Sequence, residues 1–324
     1  MLKYLLTSSV VLLAACAPSE PAENATSLSV ALHNDAPERQ DLGELSYRGG
    51  LHISHPDAAF GGWSALDLAS DGSSMIAVSD SAYWMSATLN WSGDGWLAGI
   101  NDVELAPILG SEGQELSGDA EDSESIARLT DGRYAVAFER HHRMNAYELG
   151  EDFSGIQSAV GMPLPMPPGV DDLPNNGGLE GLAMLDTGSL LAAVEYPPAD
   201  DEARLLWHFD GTNWAPVRVQ ATPEFAMTSL DAHGDYVYAL ERFWEAEVGT
   251  RIRIIRFETS ALTSGDIIEP ELLGALEASN PVDNFEGITV IDRNGEIIVL
   301  IISDDNYNQY GDQRTLLLAF SVEE

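Results

Sequence analysis

A hairpin of one pattern recurs five times along this chain, and each copy carries acidic or polar residues at one end. The copies occupy residues 63–80, 124–139, 180–195, 228–241 and 286–304. Each is an alternating apolar run, a Gly-containing turn, and a second apolar run that ends in Asp or Glu. A hairpin pairs its residues symmetrically about the turn. Glu124 then faces Glu139, Glu180 faces Glu195, Thr228 faces Glu241, and Ser64 faces Asp80. Glu286 faces Ser303, one place short of Asp304. Like charges opposite each other on a sheet are destabilising. Their repetition implies a cation, or a function, that offsets the repulsion.

The spacing of the copies sets the architecture. They start 61, 56, 48 and 58 residues apart. Units of this length built from four short strands are the pattern of an all-β propeller. The third unit has strands in 178–185, 189–196, 203–210 and 214–220, and the fourth shows four strands as well. The fifth runs out of chain after three, so the segment 44–54 is expected to supply its last strand and close the ring. Closure removes the free sheet edges that invite aggregation. Five blades are counted, with a sixth left open if 81–118 or 140–175 hides another. A β-sandwich lacks internal repeats of this length, and β-helix rungs are shorter.

The N-terminus has one basic residue, Lys3, then an apolar stretch, then Leu13-Ala14-Ala15-Cys16. That is a secretory signal ending in a bacterial lipobox, and the apolar run is too short to span a bilayer. Residues 1–15 read as the signal peptide, Cys16 as the lipidated residue, 16–40 as a tether, and 41–324 as a single propeller domain. Ala17 gives no inner-membrane retention signal. The expected location is the bacterial cell envelope, anchored through Cys16 in the outer membrane or facing the periplasm. Cys16 is the only cysteine, so no disulfide forms within the chain. A monomer is expected.

With 53 acidic residues against 15 basic ones the formal charge is −38. Nucleic acid and anionic lipid are excluded as partners by repulsion. The acids at the hairpin ends stand out because they recur by position. The first strand of each propeller blade lines the central channel. Asp80, Glu124, Glu139, Glu180, Glu195, Glu241, Glu286 and Asp304 would therefore crowd one face. Hard oxygen donors at this density suit Ca2+. No HExxH or Cys/His cluster points to a softer metal. Asp305, in the acidic loop 303–314, joins the metal-ligand candidates, although that loop lacks EF-hand spacing. Glu180 and Glu286 are the candidates for catalytic carboxylates.

Bases are scarce, so their positions carry weight. Arg140, His141, His142 and Arg143 follow Glu139, Arg242 follows Glu241, and Arg314 follows the acidic loop. Arg140, His142 and Arg314 are the candidates for contact with a small anionic ligand, such as a phosphoester. No nucleophile elbow, P-loop or G-x-G-x-x-G is present. The seven tryptophans read as packing between blades, with Trp84 and Trp244, just past second-strand ends, as alternatives for lining a pocket.

Several segments resemble the bacterial family described as the esterase-like activity of phytase, or phytase-like, domain. They are GGWSALDLASDGSSMIAVSD, DGRYAVAFERHHR, GGLEGLAML, DNFEGITVI and ISDDNYNQYGDQRTLLLAF, spanning about 61–320. The resemblance implies a β-propeller and a phosphoester or carboxylester hydrolase. β-Propeller phytases hold several Ca2+ ions in an acidic channel that receives phosphate. Two readings of function follow. One is a Ca2+-dependent envelope hydrolase of small phosphoesters or esters. The other is a non-catalytic lipoprotein that binds a ligand or an envelope protein on its propeller face.

Overall fold

The computed structural model describes residues 25–196, 202–263 and 265–323. Five sheets make the five blades of a propeller, antiparallel apart from a short parallel pairing of Arg218 and Val219 with Ile267 and Ile268 in blade three. Blade one is Trp63–Leu68, Ser74–Ser79, Tyr83–Trp91 and Leu97–Pro107. Blade two is Ser123–Arg128, Tyr134–Phe138, Arg143–Tyr147 and the two-residue Met162–Pro163. Blade three is Leu179–Met184, Leu190–Val194, Ala203–Phe209 and Trp214–Gln220. Blade four is Ala226–His233, Tyr236–Glu245, Gly249–Glu258 and Glu271–Leu276. No sixth blade exists among the described residues. The stretch 81–118 holds the outer strands of blade one, and 140–175 those of blade two.

Blade five closes the ring as expected. Its strands Asn284–Arg293, Glu296–Asp304 and Thr315–Val322 are completed by Leu45–Ser54, with Leu317 opposite Leu51. The sheet then continues into the segment read as a tether. Thr26–Ser29 pairs with residues 51–54, and Leu32 is fully buried between blades four and five. The folded domain thus begins well before residue 41. The strand itself is polar: Ser27 is its partly buried residue and Leu28 is exposed, while Val30 and Leu32 beyond it turn inward. Cys16 lies outside the described residues. No helix among the described residues is long and apolar enough to cross a membrane.

The core is divided among the gaps between blades, because each sheet buries both faces. In blade one, Met75 and Ala77 pack toward blade five, while Ile76 and Val78 pack toward blade two. This two-residue alternation explains why second strands are apolar throughout. Trp63 fills the gap between blades five and one, Trp84 that between one and two, and Trp207 that between two and three. Trp84 is therefore core, not pocket lining. Trp244 is different: it is 67% exposed.

Candidate functional site: an acidic channel mouth

One irregularity is repeated in all five blades. The pairing of first and second strands slips by one residue between Trp63 and Ala65, Ser123 and Ser125, Leu179 and Gly181, Met227 and Ser229, and Phe285 and Gly287. Each slip is a β-bulge, which leaves one residue unpaired and re-aims its side chain. The bulged residues are Ser64, Glu124, Glu180, Thr228 and Glu286. Each is followed by a small residue and then by Leu or Ile. Gly181 and Gly287 show why: a Cβ on either would lie within 3 Å of the neighbouring blade, against Leu230 and Leu66 respectively.

Glu124, Glu180 and Glu286 line a cavity of about 990 Å³ at this end of the channel. Residues at the equivalent position of each second strand, at or near its mouth end, complete the wall. In order around the ring they are Asp80, Glu139, Glu195, Arg242 and Asp304. Asp122, just before the first strand of blade two, and Asn284, which opens that of blade five, also line the cavity.

The carboxylates concentrate on blade two. Oxygens of Asp122, Glu124 and Glu139 lie within 4.8 Å of one another. Glu139 is 2% exposed, and its Oε1 accepts the backbone N–H groups of Gly177, at 2.7 Å, and Gly178. Burial, reinforced by Asp122, Glu286, Glu139 and Asp80, pushes Glu124 well above the usual carboxylate range. Burial and the charges of Glu124, Glu139 and Glu195 do the same to Glu180. Asp80 is raised to about 6, Glu195 to about 7 and Asp304 to about 8, burial being the main cause in each. Among the described residues, the base paired with the blade-two cluster is Arg140, whose Nε lies 2.7 Å from Asp122 Oδ2.

Positive charge sits across the mouth. Arg242 Nη2 is 3.4 Å from Glu286 Oε1 and 3.9 Å from Glu195 Oε1. Burial works against its charge, but Glu286, Glu195 and Glu180 outweigh that and raise its pKa. Arg242 also donates to Asn284 Oδ1. The Asn284 amide donates in turn to Glu286 Oε1 at 3.0 Å and Asp304 Oδ2 at 3.1 Å. Arg314 lines the cavity, donating to Asp283 Oδ2 at 3.0 Å.

Seven of the acids singled out from the sequence meet here, with Arg140 and Arg314. Three expected residues do not. Glu241 is fully buried inside the blades, with Arg204 Nη1 at 3.2 Å, Arg253 Nε at 3.4 Å and the Thr222 hydroxyl at 2.6 Å. The reason is register: Met227 pairs with Glu241 before the bulge, so Arg242 takes the place held elsewhere by an acid. Asp305 instead accepts the N–H groups of Gly62 and Tyr307 and pins the loop after blade five's second strand onto blade one. The Tyr307 ring lies over Gly61 and Gly62, where added Cβ atoms would come within 2.9 and 2.6 Å of it. His142 packs behind the wall on Gly178, its Nε2 at 3.1 Å from the Pro174 carbonyl. Asp122 and Asn284 were missed. Both sit one pair outside the bulge, opposite Glu139 and Asp304, and the recurring bulge–small–Leu/Ile pattern is the signal that locates them.

A search of the curated proteins finds no match. Among solved structures, virginiamycin B lyase from Staphylococcus aureus is 10% identical, with 92% of this chain and 99% of that one covered at a TM-score of 0.42. A putative gluconolactonase is 12% identical, with 94% and 96% covered at a TM-score of 0.43. Fructan 1-exohydrolase IIa from Cichorium intybus is 11% identical, with 85% and 57% covered at 0.46. At such identities no activity passes from these proteins to this chain. The family model Phytase-like, described as esterase-like activity of phytase, matches residues 58–307, and the chain belongs to that family.

Proposed function

We propose that the channel mouth is a cation-dependent ester hydrolase site, acting on small phosphoesters or carboxylesters, in a lipoprotein anchored to the envelope through Cys16. The observation that carries this reading is the division of charge: three carboxylates converge on blade two with one partial counter-charge, while Arg242 and Arg314 stand across the cavity. Carboxylates this close are mutually repulsive unless protonated or bridged by a cation. All donors are hard carboxylate oxygens, which fits Ca2+. The residues that would hold it are Asp122, Glu124 and Glu139.

A cation bound there would polarise the phosphoryl or carbonyl oxygen of the ester. Arg242 and Arg314 bind the anionic part of the substrate and orient it. Glu180, where burial and neighbouring acids favour the protonated form, supplies a proton to the departing oxygen. Glu286, fixed by Asn284 and Arg242, accepts the proton of the incoming water. Glu139 is held by the Gly177 and Gly178 amides and keeps the carboxylate cluster in place.

The test is turnover of an aryl phosphate and an aryl acetate by the purified protein with millimolar Ca2+, repeated after chelation. Hydrolysis that disappears with chelator and returns with Ca2+ supports the reading. No hydrolysis under any metal condition replaces it with the ligand-binding lipoprotein. The anchor is tested separately: Cys16→Ser should move the protein from the membrane fraction or leave an uncleaved precursor.

A further inference from the structure

Among the described residues, the exposed aromatic side chains are three, and all belong to the channel mouth. Trp244 is 67% exposed, Tyr310 78% and Tyr196 54%. Trp244 and Tyr310 line the cavity, and Tyr196 directly follows the wall residue Glu195. They rise from blades four, five and three. The two residues that follow the wall position in blades one and two are Ser81-Ala82 and Arg140-His141. The aromatic arc therefore faces the carboxylates of blade two across the cavity.

The backbone beneath two of these rings is anchored. Trp244 pairs with Thr250 on the long hairpin of blade four. Tyr310 sits on the loop that Asp305 and Tyr307 fasten to blade one. Amide side chains also line the cavity: Asn176, Asn306, Gln309 and Gln313. Large open aromatic faces beside a polar cavity call for a ligand with one apolar face and a rim of hydroxyls. A pyranose ring has that shape. Its axial C–H bonds present positive edges to the negative face of an aromatic ring, and its hydroxyls suit amide donors and acceptors.

We infer that the substrate is a phosphorylated sugar, its pyranose ring resting on Trp244 and Tyr310 and its phosphate reaching between Arg242 and the blade-two carboxylates. This rests on the hydrolase reading of the same site and adds the class of the leaving group. In the reaction the P–O bond to the sugar breaks. Water gives its oxygen to phosphorus and a proton to the sugar oxygen, so inorganic phosphate and the free sugar leave.

The experiment compares glucose 6-phosphate with glycerol phosphate, two phosphomonoesters that differ in the ring. The wild type should favour glucose 6-phosphate in kcat/KM. Trp244→Ala should lower the ratio of the two kcat/KM values about tenfold, mostly through KM, and Trp244→Phe should restore part of it. A ratio that Trp244→Ala leaves unchanged overturns the inference. Calorimetric binding of glucose 6-phosphate in the presence of Ca2+ separates this from the hydrolase reading. Binding without turnover, weakened by Trp244→Ala, keeps the sugar platform and removes the hydrolase. Neither binding nor turnover overturns the platform. So does a Trp244→Ala variant that binds sugar normally but loses association with vesicles of phosphatidylethanolamine and phosphatidylglycerol, since the aromatics would then serve the membrane.

Discussion

Blades two and four share one backbone and present opposite chemistry. Blade two lines the cavity with Asp122, Glu124 and Glu139, whereas the equivalent positions of blade four carry Ala226, Thr228 and Arg242, of which Arg242 lines it. Both second strands end in a Glu-Arg pair, Glu139-Arg140 and Glu241-Arg242. In blade two the Glu faces the channel and the Arg lies at the rim. In blade four the Glu turns into the interior against Arg204, and the Arg faces the channel. A phase difference of one residue converts a cation-attracting wall into an anion-attracting one. The two walls then face each other across the mouth, an arrangement that five identical blades would not produce.

The largest expected effect separates the two glutamates by role. Glu241→Gln leaves Arg204, which is fully buried, without its charge partner and should cost about 3–5 kcal/mol of stability. Cation affinity should not change. Denaturant unfolding and a calcium titration on the same sample check both statements.

Next is Glu124→Gln, which removes a charge from the blade-two cluster and keeps its size. Calcium affinity should fall on the order of 100-fold, the upper end of what loss of a ligand's supporting partner alone costs. The chelated variant should melt higher than the chelated wild type, because one of several crowded carboxylates is gone. A variant that is less stable in both conditions would assign Glu124 to the scaffold.

The comparison also predicts an unusual pH dependence. Burial is the main force raising Glu195 to about 7 and Asp304 to about 8, so the folded protein holds protons that the unfolded chain releases near pH 4. In chelator, the stability these groups contribute is fully present below pH 4 and is lost as pH rises to about 8. With Ca2+ the trend over the same window should reverse, because the cation binds the deprotonated carboxylates. Melting curves from pH 4 to 9 with and without Ca2+ show whether the two trends cross.

The smallest effect is expected at the far end of blade two. Arg133 pairs with Asp131 at 2.6 Å in an exposed turn. Arg133→Ala should change stability by less than about 1 kcal/mol and leave calcium binding alone.

Much of this was legible in the sequence. The five hairpins gave the blade count, and the missing strand of the fifth unit pointed to residues 44–54. The acids of blades two, three and five were legible because they recur at hairpin ends. The bulges were not, since a bulge adds one residue without altering composition. Symmetric pairing about the turn therefore placed Glu241 at the mouth and gave no reason to include Asp122. The strand at Thr26–Ser29 was hidden by polar residues on an outer edge, where only Ser27 is partly buried. Asp305 and His142 looked like site residues because they adjoin acids and bases in sequence. Their side chains are spent on backbone amides and on packing behind the wall.

The central claim is that the blade-two carboxylates hold a divalent cation. Isothermal titration of CaCl2 into chelator-stripped protein tests it most directly, run in two buffers of different ionisation heat and repeated on Glu124→Gln. The account predicts saturable binding to the wild type with release of protons, and binding on the order of 100-fold weaker in the variant. No saturable heat, or equal affinity in both proteins, would contradict it.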